Sequence, residues 1–303
     1  MDNLTLLKKK ILVTGGNGFL GKNLIKKLIS EKAVVYSLDL NESSEVEDVK
    51  YYQANLKDKE EIKRIINEIK PAIIFHLAAI LDRTRDFSEA ENIYEVNLFG
   101  TINLLQALKD MDYEKFIFTS TSEVYGGNNI SAPFKETCDF VPASPYSLSK
   151  YAAEMAIRSF SNLYNKKFII FRVFNFYGEG MPESFFLPQL INKLKKGEDF
   201  DMTKGEQKRD IIHIDAVLEA LILSSKIEVN NEVINICSGK GLTIKEIAIT
   251  LKQKLNSNSK INIGAIPYRD NEIWEMVGDN LKLQTILGLT NATLLKGILN
   301  HKL

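Results

Sequence analysis

The stretch Ile11-Leu-Val-Thr-Gly-Gly-Asn-Gly-Phe-Leu-Gly21 joins a short β-branched run directly to the start of a helical pattern. Glycine at such a turn permits positive φ and removes side chains that would keep a phosphate away from the backbone. The amino terminus of the helix then offers N–H groups and the positive end of its dipole to an anion. We therefore predict a turn that binds the pyrophosphate of a dinucleotide through Gly15, Gly18, Phe19, Leu20 and Gly21.

Asp39 ends the second predicted strand, 18 residues after Gly21. A carboxylate at this point can accept both ribose hydroxyls and would repel a 2′-phosphate, so the expected cofactor is NAD rather than NADP. The competing interpretation is a glycine-rich β-turn followed by a surface aspartate, with no ligand bound at either.

Short β-branched runs alternate with longer segments of helical period through most of the chain. This alternation predicts an α/β fold with a parallel, doubly wound sheet of the Rossmann type. We expect residues 1–175 to form the NAD-binding domain, with 211–237 returning to it, and 176–210 with 238–303 to form a smaller α/β substrate lobe. The predicted strands are 11–14, 34–38, 49–52, 73–76, 116–119 and 168–171, and the predicted helices include 22–30, 57–70, 88–109 and 146–164.

The composition is that of a soluble globular protein, with 45% hydrophobic and 26% charged residues among 303. Because 39 basic residues balance 39 acidic ones, the net charge gives no reason to expect nucleic acid or a membrane as partner. Cys138 and Cys237 form no disulfide framework and lack the spacing of metal ligands, so no metal site is expected. No signal peptide or membrane-spanning run is visible, and we expect a cytoplasmic protein.

The segment Tyr146-Ser-Leu-Ser-Lys150 carries a candidate base about 130 residues after the glycine turn. On a helix, four-residue spacing places the tyrosine and the lysine on one face. An ammonium beside a phenol favours the phenolate, and so does a positive nicotinamide ring, so we expect the pKa of Tyr146 to fall below its usual value of about 10. The sequence thus predicts a tyrosinate base beside the cofactor.

Further motifs make the chain resemble the extended short-chain dehydrogenase/reductase superfamily, specifically its NAD-dependent nucleotide-sugar epimerase/dehydratase family. The resemblance covers nearly the whole chain and implies an enzyme of carbohydrate biosynthesis that transfers hydride at C4 of a nucleoside-diphosphate sugar. The motifs, besides the two above, are His76-Leu-Ala-Ala79, Asn97-Leu-Phe-Gly100-Thr101, Ser120-Thr-Ser-Glu-Val-Tyr-Gly126, Arg172-Val-Phe-Asn-Phe-Tyr-Gly178 and Arg209-Asp-Ile-Ile-His-Ile-Asp215.

The resemblance also implies further contacts with NAD. Lys150 would hold the nicotinamide ribose beside Tyr146. Where the family usually has an aspartate that binds the adenine amine, this chain has Asn55-Leu56, and an amide oxygen can still accept that bond. The remaining implied cofactor residues are Leu77, Ala78, Ala79 and Asn97.

Three consecutive residues decide between reactions. By resemblance, Thr121 shares the hydrogen bond to the sugar oxygen. The family's 4,6-dehydratases typically follow this residue with aspartate and then glutamate, an acid–base pair. Here Ser122, a poor proton donor for a leaving hydroxide, precedes Glu123, so a C4 epimerase or 4-ketoreductase is the first expectation. A 4,6-dehydratase, or a decarboxylase of the UDP-glucuronate type that uses Glu123, is the alternative, and Glu123 could also be a plain surface residue.

The same resemblance implies that Asn175, Arg209 and Arg269 approach the nucleotide-sugar diphosphate or ribose, since guanidinium groups suit phosphate. Arg83 and Arg85 follow the fourth predicted strand, and either one could touch the sugar. Each arginine could instead be a solvated surface residue. The apolar helices 88–109 and 146–164 imply a homodimer. An alternative of another class is a non-catalytic NAD-binding regulatory protein, although such relatives often lose the tyrosine or lysine present here.

Overall fold

The computed structural model describes residues 5–82, 86–126, 131–270, 272–290 and 294 of the chain. These residues divide into two compact units. The described residues within Met1–Val124, Phe140–Arg172 and Leu218–Ile234 form the first unit, and those within Tyr125–Asp139, Val173–Val217 and Asn235–Leu303 form the second.

The strands along the described residues are β1 (Lys10–Thr14), β2 (Val34–Asp39), β3 (Lys50–Gln53), β4 (Ile73–His76), β5 (Lys115–Thr121), β6 (Phe168–Val173), β7 (Asn175–Tyr177), β8 (Phe200–Met202), β9 (Lys208–His213), β10 (Glu232–Ile236), β11 (Gly241–Thr243), β12 (Ile261–Ile263) and β13 (Glu275–Met276). The α-helices are α1 (Phe19–Ser30), α2 (Lys59–Ile69), α3 (Ala90–Tyr94), α4 (Gly100–Leu108), α5 (Pro145–Tyr164), α6 (Phe186–Lys196), α7 (Ile214–Lys226), α8 (Ile244–Lys254) and α9 (Leu281–Leu287).

A seven-stranded sheet runs in the order β10-β6-β5-β4-β1-β2-β3. The pairs β1–β2, β1–β4, β2–β3 and β4–β5 are parallel, and the strand order changes direction at β1. This confirms the predicted doubly wound α/β sheet of the Rossmann type. In such sheets, ligands bind beyond the carboxyl ends of the strands at the point where the order reverses.

The central strands are buried along their whole length, as parallel strands covered by helices on both faces must be. Strand β5 extends two residues beyond its predicted end because Ser120 and Thr121, although polar, are buried in the sheet. Helix α2 shows how the sequence forms the covering layer. The Asp58 side chain accepts the Glu61 N–H as a cap, and the buried face carries Ile62, Ile65, Ile66 and Ile69.

The predicted helix 88–109 is not one regular α-helix. Helices α3 and α4 are joined by a π-helical turn at Glu95–Phe99. Such a turn inserts one extra residue into the helix and frequently marks functional sites. Asn97 lies in this turn and is buried.

In the second unit, β11, β9 and β13 form one sheet with β7 paired to β9, and β12 pairs with β8. Helices α6 and α8 cover an apolar cluster that includes Leu190, Phe200 and Leu251. Among the helices that the structure describes, none has the length and apolar character needed to cross a membrane.

Candidate active site

The turn between β1 and α1 is packed too closely for side chains at Gly15, Gly16 and Gly21. A Cβ on Gly15, whose φ is +72°, would lie 2.7 Å from the Ala78 nitrogen, and one on Gly21 would lie 2.1 Å from the Gly15 oxygen. Gly18 differs, because its φ of −66° suits any residue and its nearest obstacle is the Gly15 oxygen at 3.2 Å. The missing side chain at Gly18 therefore leaves the amino terminus of α1 open to a phosphate.

Asp39 lies at the carboxyl end of β2, beside this turn. Its Oδ2 accepts the Asn17 N–H at 2.9 Å and its Oδ1 accepts the Leu40 N–H at 2.7 Å. A carboxylate has about four acceptor positions, so capacity remains for two ribose hydroxyls. The glycine turn and Asp39 therefore fit the pyrophosphate and the adenine-side ribose of NAD.

The carboxyl end of β4 is fixed by buried polar contacts. The His76 Nδ1 and Nε2 lie 2.7 Å from Thr14 Oγ1 and 2.8 Å from Thr101 Oγ1, and burial, aided by the Lys150 charge, lowers the pKa of His76 to about 3. His76 is thus a neutral link between β1, β4 and α4. The following residues, Leu77–Ala79, come next to the glycine turn, where the Ala78 N–H donates to Thr14 Oγ1 at 3.3 Å.

Asn97 connects this loop to helix α5. Its Oδ1 accepts the Ile80 N–H at 2.7 Å, and its Nδ2 donates to the Ile80 carbonyl and to Ser149 Oγ, both at 3.0 Å. Asn97 therefore positions chain segments, while its predicted contact with NAD remains a prediction. The same holds for Asn55 and Leu56. The Asn55 Oδ1 accepts the Lys57 N–H at 3.0 Å, and Leu56 is buried.

Helix α5 and strand β5 bring the predicted catalytic residues together. Ser144 and Ser147 form a capping box, with Pro145 at the first helical position, so the helix begins one residue before Tyr146. The Tyr146 hydroxyl comes within hydrogen-bonding reach of Thr121, at the end of β5. The Thr121 Oγ1 also accepts the Glu123 N–H at 3.2 Å, within the short helical turn Ser122–Tyr125.

Lys150 is 2% exposed, and its Nζ lies 4.0 Å from the centroid of the Phe118 ring, a cation–π contact. Burial lowers the pKa of Lys150 to about 7, and the nearby Glu154 carboxylate opposes that shift. Near neutral pH the lysine is therefore close to its titration midpoint.

The tyrosine differs from the expectation. Burial, followed by the negative charge of Glu123, raises the pKa of Tyr146, and the hydrogen bond from Thr121 only partly offsets this. The protein's own groups thus disfavour the phenolate, because a site shielded from water penalises every charged form. The positive nicotinamide ring of NAD would have the opposite effect and lower the pKa of Tyr146.

A buried ion pair behind the lysine was not predicted from the sequence. Glu154, one helical turn after Lys150, receives hydrogen bonds from Arg172 on β6, Nε to Oε1 at 3.2 Å and Nη2 to Oε2 at 2.8 Å. Both side chains are at most 1% exposed, and the guanidinium lies 4.4 Å from the Phe140 ring centroid. Two features of the sequence hint at it. Glu154 shares a helix face with Lys150, and Arg172 begins the family motif Arg172-Val-Phe-Asn-Phe-Tyr-Gly178.

The predicted substrate residues fall in both units and differ in burial. Ser122 is buried in the first unit, whereas Asn175 and Arg269 are exposed in the second. Arg209 is held by Glu272, with Nη2 and Oε1 2.7 Å apart, and by the Ile273 carbonyl at 2.7 Å. Arg83 and Arg85 lie outside the described residues.

The chain belongs to the NAD dependent epimerase/dehydratase family, whose model matches residues 11–237. The protein is therefore an enzyme of an NAD-dependent family, with the glycine turn and the tyrosine–lysine helix inside the matched region.

Known relatives catalyse several reactions. The crystal structure of the UDP-glucose 4-epimerase of Thermotoga maritima, solved with UDP-glucose, superimposes with a TM-score of 0.88 at 30% identity, covering 96% of each chain. The GDP-6-deoxy-D-talose 4-dehydrogenase of Aggregatibacter actinomycetemcomitans is 29% identical over 92% of this chain and 91% of its own. The human dTDP-D-glucose 4,6-dehydratase is 29% identical over 84% of this chain and 77% of its own.

We predict that Glu154→Gln destabilises the protein by about 3–5 kcal/mol, because it leaves the Arg172 cation buried without its partner. The double variant with Glu154→Gln and Arg172→Met should regain much of that loss. Urea denaturation measures both. The matched control is Glu61→Gln, which breaks an exposed pair with Arg64 and should have little effect. A single variant as stable as the wild type would contradict the assignment.

Proposed function

We propose that the protein transfers hydride at C4 of a nucleoside-diphosphate sugar, as a C4 epimerase or a 4-ketoreductase. The observation that carries this proposal is the placement of Tyr146 within hydrogen-bonding reach of Thr121, one helical turn from Lys150 and in the same unit as the glycine turn and Asp39. The arrangement suits removal of a proton from a carbinol beside a nicotinamide.

NAD, when bound, supplies the acceptor for the hydride. The Tyr146 oxygen takes the proton of the 4-hydroxyl as the C4–H bond breaks and the C4=O bond forms. The Thr121 hydroxyl shares the hydrogen bond to the sugar oxygen, and the Lys150 ammonium stabilises the phenolate and binds the nicotinamide ribose. Return of hydride to the opposite face of the ketone, with the proton returned by Tyr146, completes an epimerisation. In a reduction, exchangeable NADH would supply the hydride to C4 of a 4-ketone substrate, and Tyr146 would donate the proton to the 4-oxygen.

Several further residues would bind the substrate in this proposal. Ser122 contributes its hydroxyl to the sugar, and Asn175, Arg209 and Arg269 contribute an amide and two guanidinium groups to the diphosphate or ribose. Since NAD and nucleotide sugars are metabolites of the cell interior, we also propose a cytoplasmic enzyme.

We predict that Tyr146→Phe lowers kcat by about 10²–10⁴-fold, the usual range for loss of a general acid–base group. The Kd for NAD, measured by calorimetry, should change little, because the phenol ring is retained. The control is Tyr164→Phe, at the far end of the same helix, which should leave kcat unchanged. Full activity of Tyr146→Phe would refute the mechanism.

The alternative is elimination or decarboxylation with Glu123 as the proton-transfer group. Its support is the position of Glu123, whose charge acts directly on Tyr146. Against dehydration stands Ser122, which cannot protonate a leaving hydroxide as a carboxylic acid can. A panel of UDP-, GDP-, CDP- and dTDP-sugars and their 4-keto-6-deoxy forms, analysed by mass spectrometry, separates the reactions. Dehydration loses water, decarboxylation loses carbon dioxide, reduction adds two hydrogens, and epimerisation leaves the mass unchanged.

Glu123→Gln should keep most of the activity and move the rising limb of the pH–rate profile for sugar oxidation to lower pH. The sign follows from charge: Glu123 raises the pKa of Tyr146, so its removal lowers that pKa and produces phenolate at lower pH. Glu123→Asp is the charge-conserving control and should keep the profile near its original position. Loss of nearly all activity in Glu123→Gln would favour the elimination alternative.

We further propose a homodimer formed through the helical segments 88–109 and 146–164. The support is the exposed apolar side chains on these segments, including Phe99 at 56% and Leu163 at 72% exposed. Light scattering at micromolar concentration should give twice the chain mass of 34.3 kDa. Leu163→Glu should yield monomers, whereas Leu281→Glu, at a position 64% exposed in the second unit, should not. A monomeric wild type would exclude this interface.

A further inference from the structure

Asn17 joins the glycine turn to Asp39 and to the segment that follows β2. Its backbone N–H donates to Asp39 Oδ2 at 2.9 Å. Its side chain reaches the segment after β2, where Nδ2 donates to the Ser43 carbonyl at 2.8 Å and Oδ1 accepts the Glu45 N–H at 3.1 Å. Asn17 is 8% exposed, so these bonds form largely away from water.

Glu45 extends this connection to helix α1. Its carboxylate lies 2.6 Å from the Nζ of Lys22, in the first turns of that helix. The two side chains are 53% and 31% exposed, and an exposed ion pair alone holds its partners only weakly. The position of Glu45 therefore depends mainly on the backbone hydrogen bond to Asn17.

All the charged residues in the segment between Asp39 and β3 are negative. From Leu40 to Val49 its charged residues are all acidic: Glu42, Glu45, Glu47 and Asp48. A 2′-phosphate on the adenine-side ribose adds about two negative charges and is accommodated by a nearby cation in NADP-binding relatives of this fold. Lys22 is a cation linked to this region through Glu45, and Glu45 neutralises it.

We propose that Asn17 is a specificity-determining residue that excludes NADP by holding Glu45 against Lys22 and Asp39 in its ribose-accepting position. With Asn17 in place, a ribose with a free 2′-hydroxyl meets the Asp39 acceptors, and a 2′-phosphate meets carboxylates while the Lys22 ammonium is paired with Glu45. Without its side chain, residues 43–45 lose two hydrogen bonds, Glu45 moves away, and Lys22 becomes available to the phosphate. The backbone N–H to Asp39 persists in any replacement other than proline, so NAD affinity is largely kept.

The test is the Kd of NAD and of NADP, measured by calorimetry on cofactor-stripped protein. In Asn17→Ala and in Glu45→Gln, the ratio of the NADP Kd to the NAD Kd should fall about tenfold, the scale of one charge-assisted contact. Two matched controls come from the same segment. Asn41→Ala removes an amide and Glu42→Gln removes a negative charge, and both should leave the ratio within about twofold of the wild type.

A third substitution tests the role of Lys22. Adding Lys22→Met to Asn17→Ala should restore the wild-type ratio of the NADP Kd to the NAD Kd, because Lys22 is the group that binds the 2′-phosphate in Asn17→Ala. Thermal melts identify any variant that is not folded. Glu45→Gln changes an exposed side chain and should leave the core of the protein intact. A folded Glu45→Gln with an unchanged ratio would overturn the proposal. So would equal weakening of NAD and NADP in Asn17→Ala, or equal effects of Glu42→Gln and Glu45→Gln.

Discussion

The turn between β1 and α1 has no room for side chains at Gly15, Gly16 and Gly21. A Cβ at any of the three would lie within 3 Å of neighbouring atoms. This close packing brings the ends of β1, β2 and β4 and the start of α1 to one point, where the strand order of the sheet reverses. Asp39, Asn17 and Ala78 are all positioned by hydrogen bonds around that turn. The cofactor specificity that we infer depends on this geometry.

The second constraint is the burial of charge on helix α5. Lys150 and Glu154 are shielded from water, and Arg172 compensates the glutamate. Burial penalises both the Lys150 ammonium and the Tyr146 phenolate. The pKa of Lys150 therefore falls and that of Tyr146 rises, and both shifts favour the neutral forms. A base that becomes effective only beside a positive nicotinamide would couple proton removal to the presence of NAD. In the proposed mechanism this coupling prevents the tyrosine from acting before the cofactor is in place.

Much of the fold was predictable because its signals are local. The β-branched runs at 11–14 and 73–76 form strands β1 and β4, and the predicted helix 146–164 lies within α5. The π-helical turn at Glu95–Phe99 was missed, since an apolar helical period does not reveal a single extra residue.

The electrostatics of the site were not predictable, because they depend on contacts between distant residues. Glu154 and Arg172 are 18 residues apart on different elements, and Arg209 pairs with Glu272, 63 residues away. Burial raises the pKa of Tyr146, although Lys150 on the same helix was expected to lower it. The expected lowering was therefore wrong for the protein's own groups. Charges next to each other on a helix are visible in the sequence, whereas their exposure to water is not.

The central claim is that hydride is exchanged between C4 of the substrate and the cofactor, and isotope transfer tests it most directly. Nucleotide sugars deuterated at C4 would be mixed with an excess of the NAD-bound enzyme and quenched rapidly, and the recovered cofactor would be analysed by mass spectrometry. Hydride transfer at C4 predicts reduced cofactor that carries the deuterium at early times. Conversion of a nucleotide sugar to product, with no deuterium on the cofactor at any time, would contradict it.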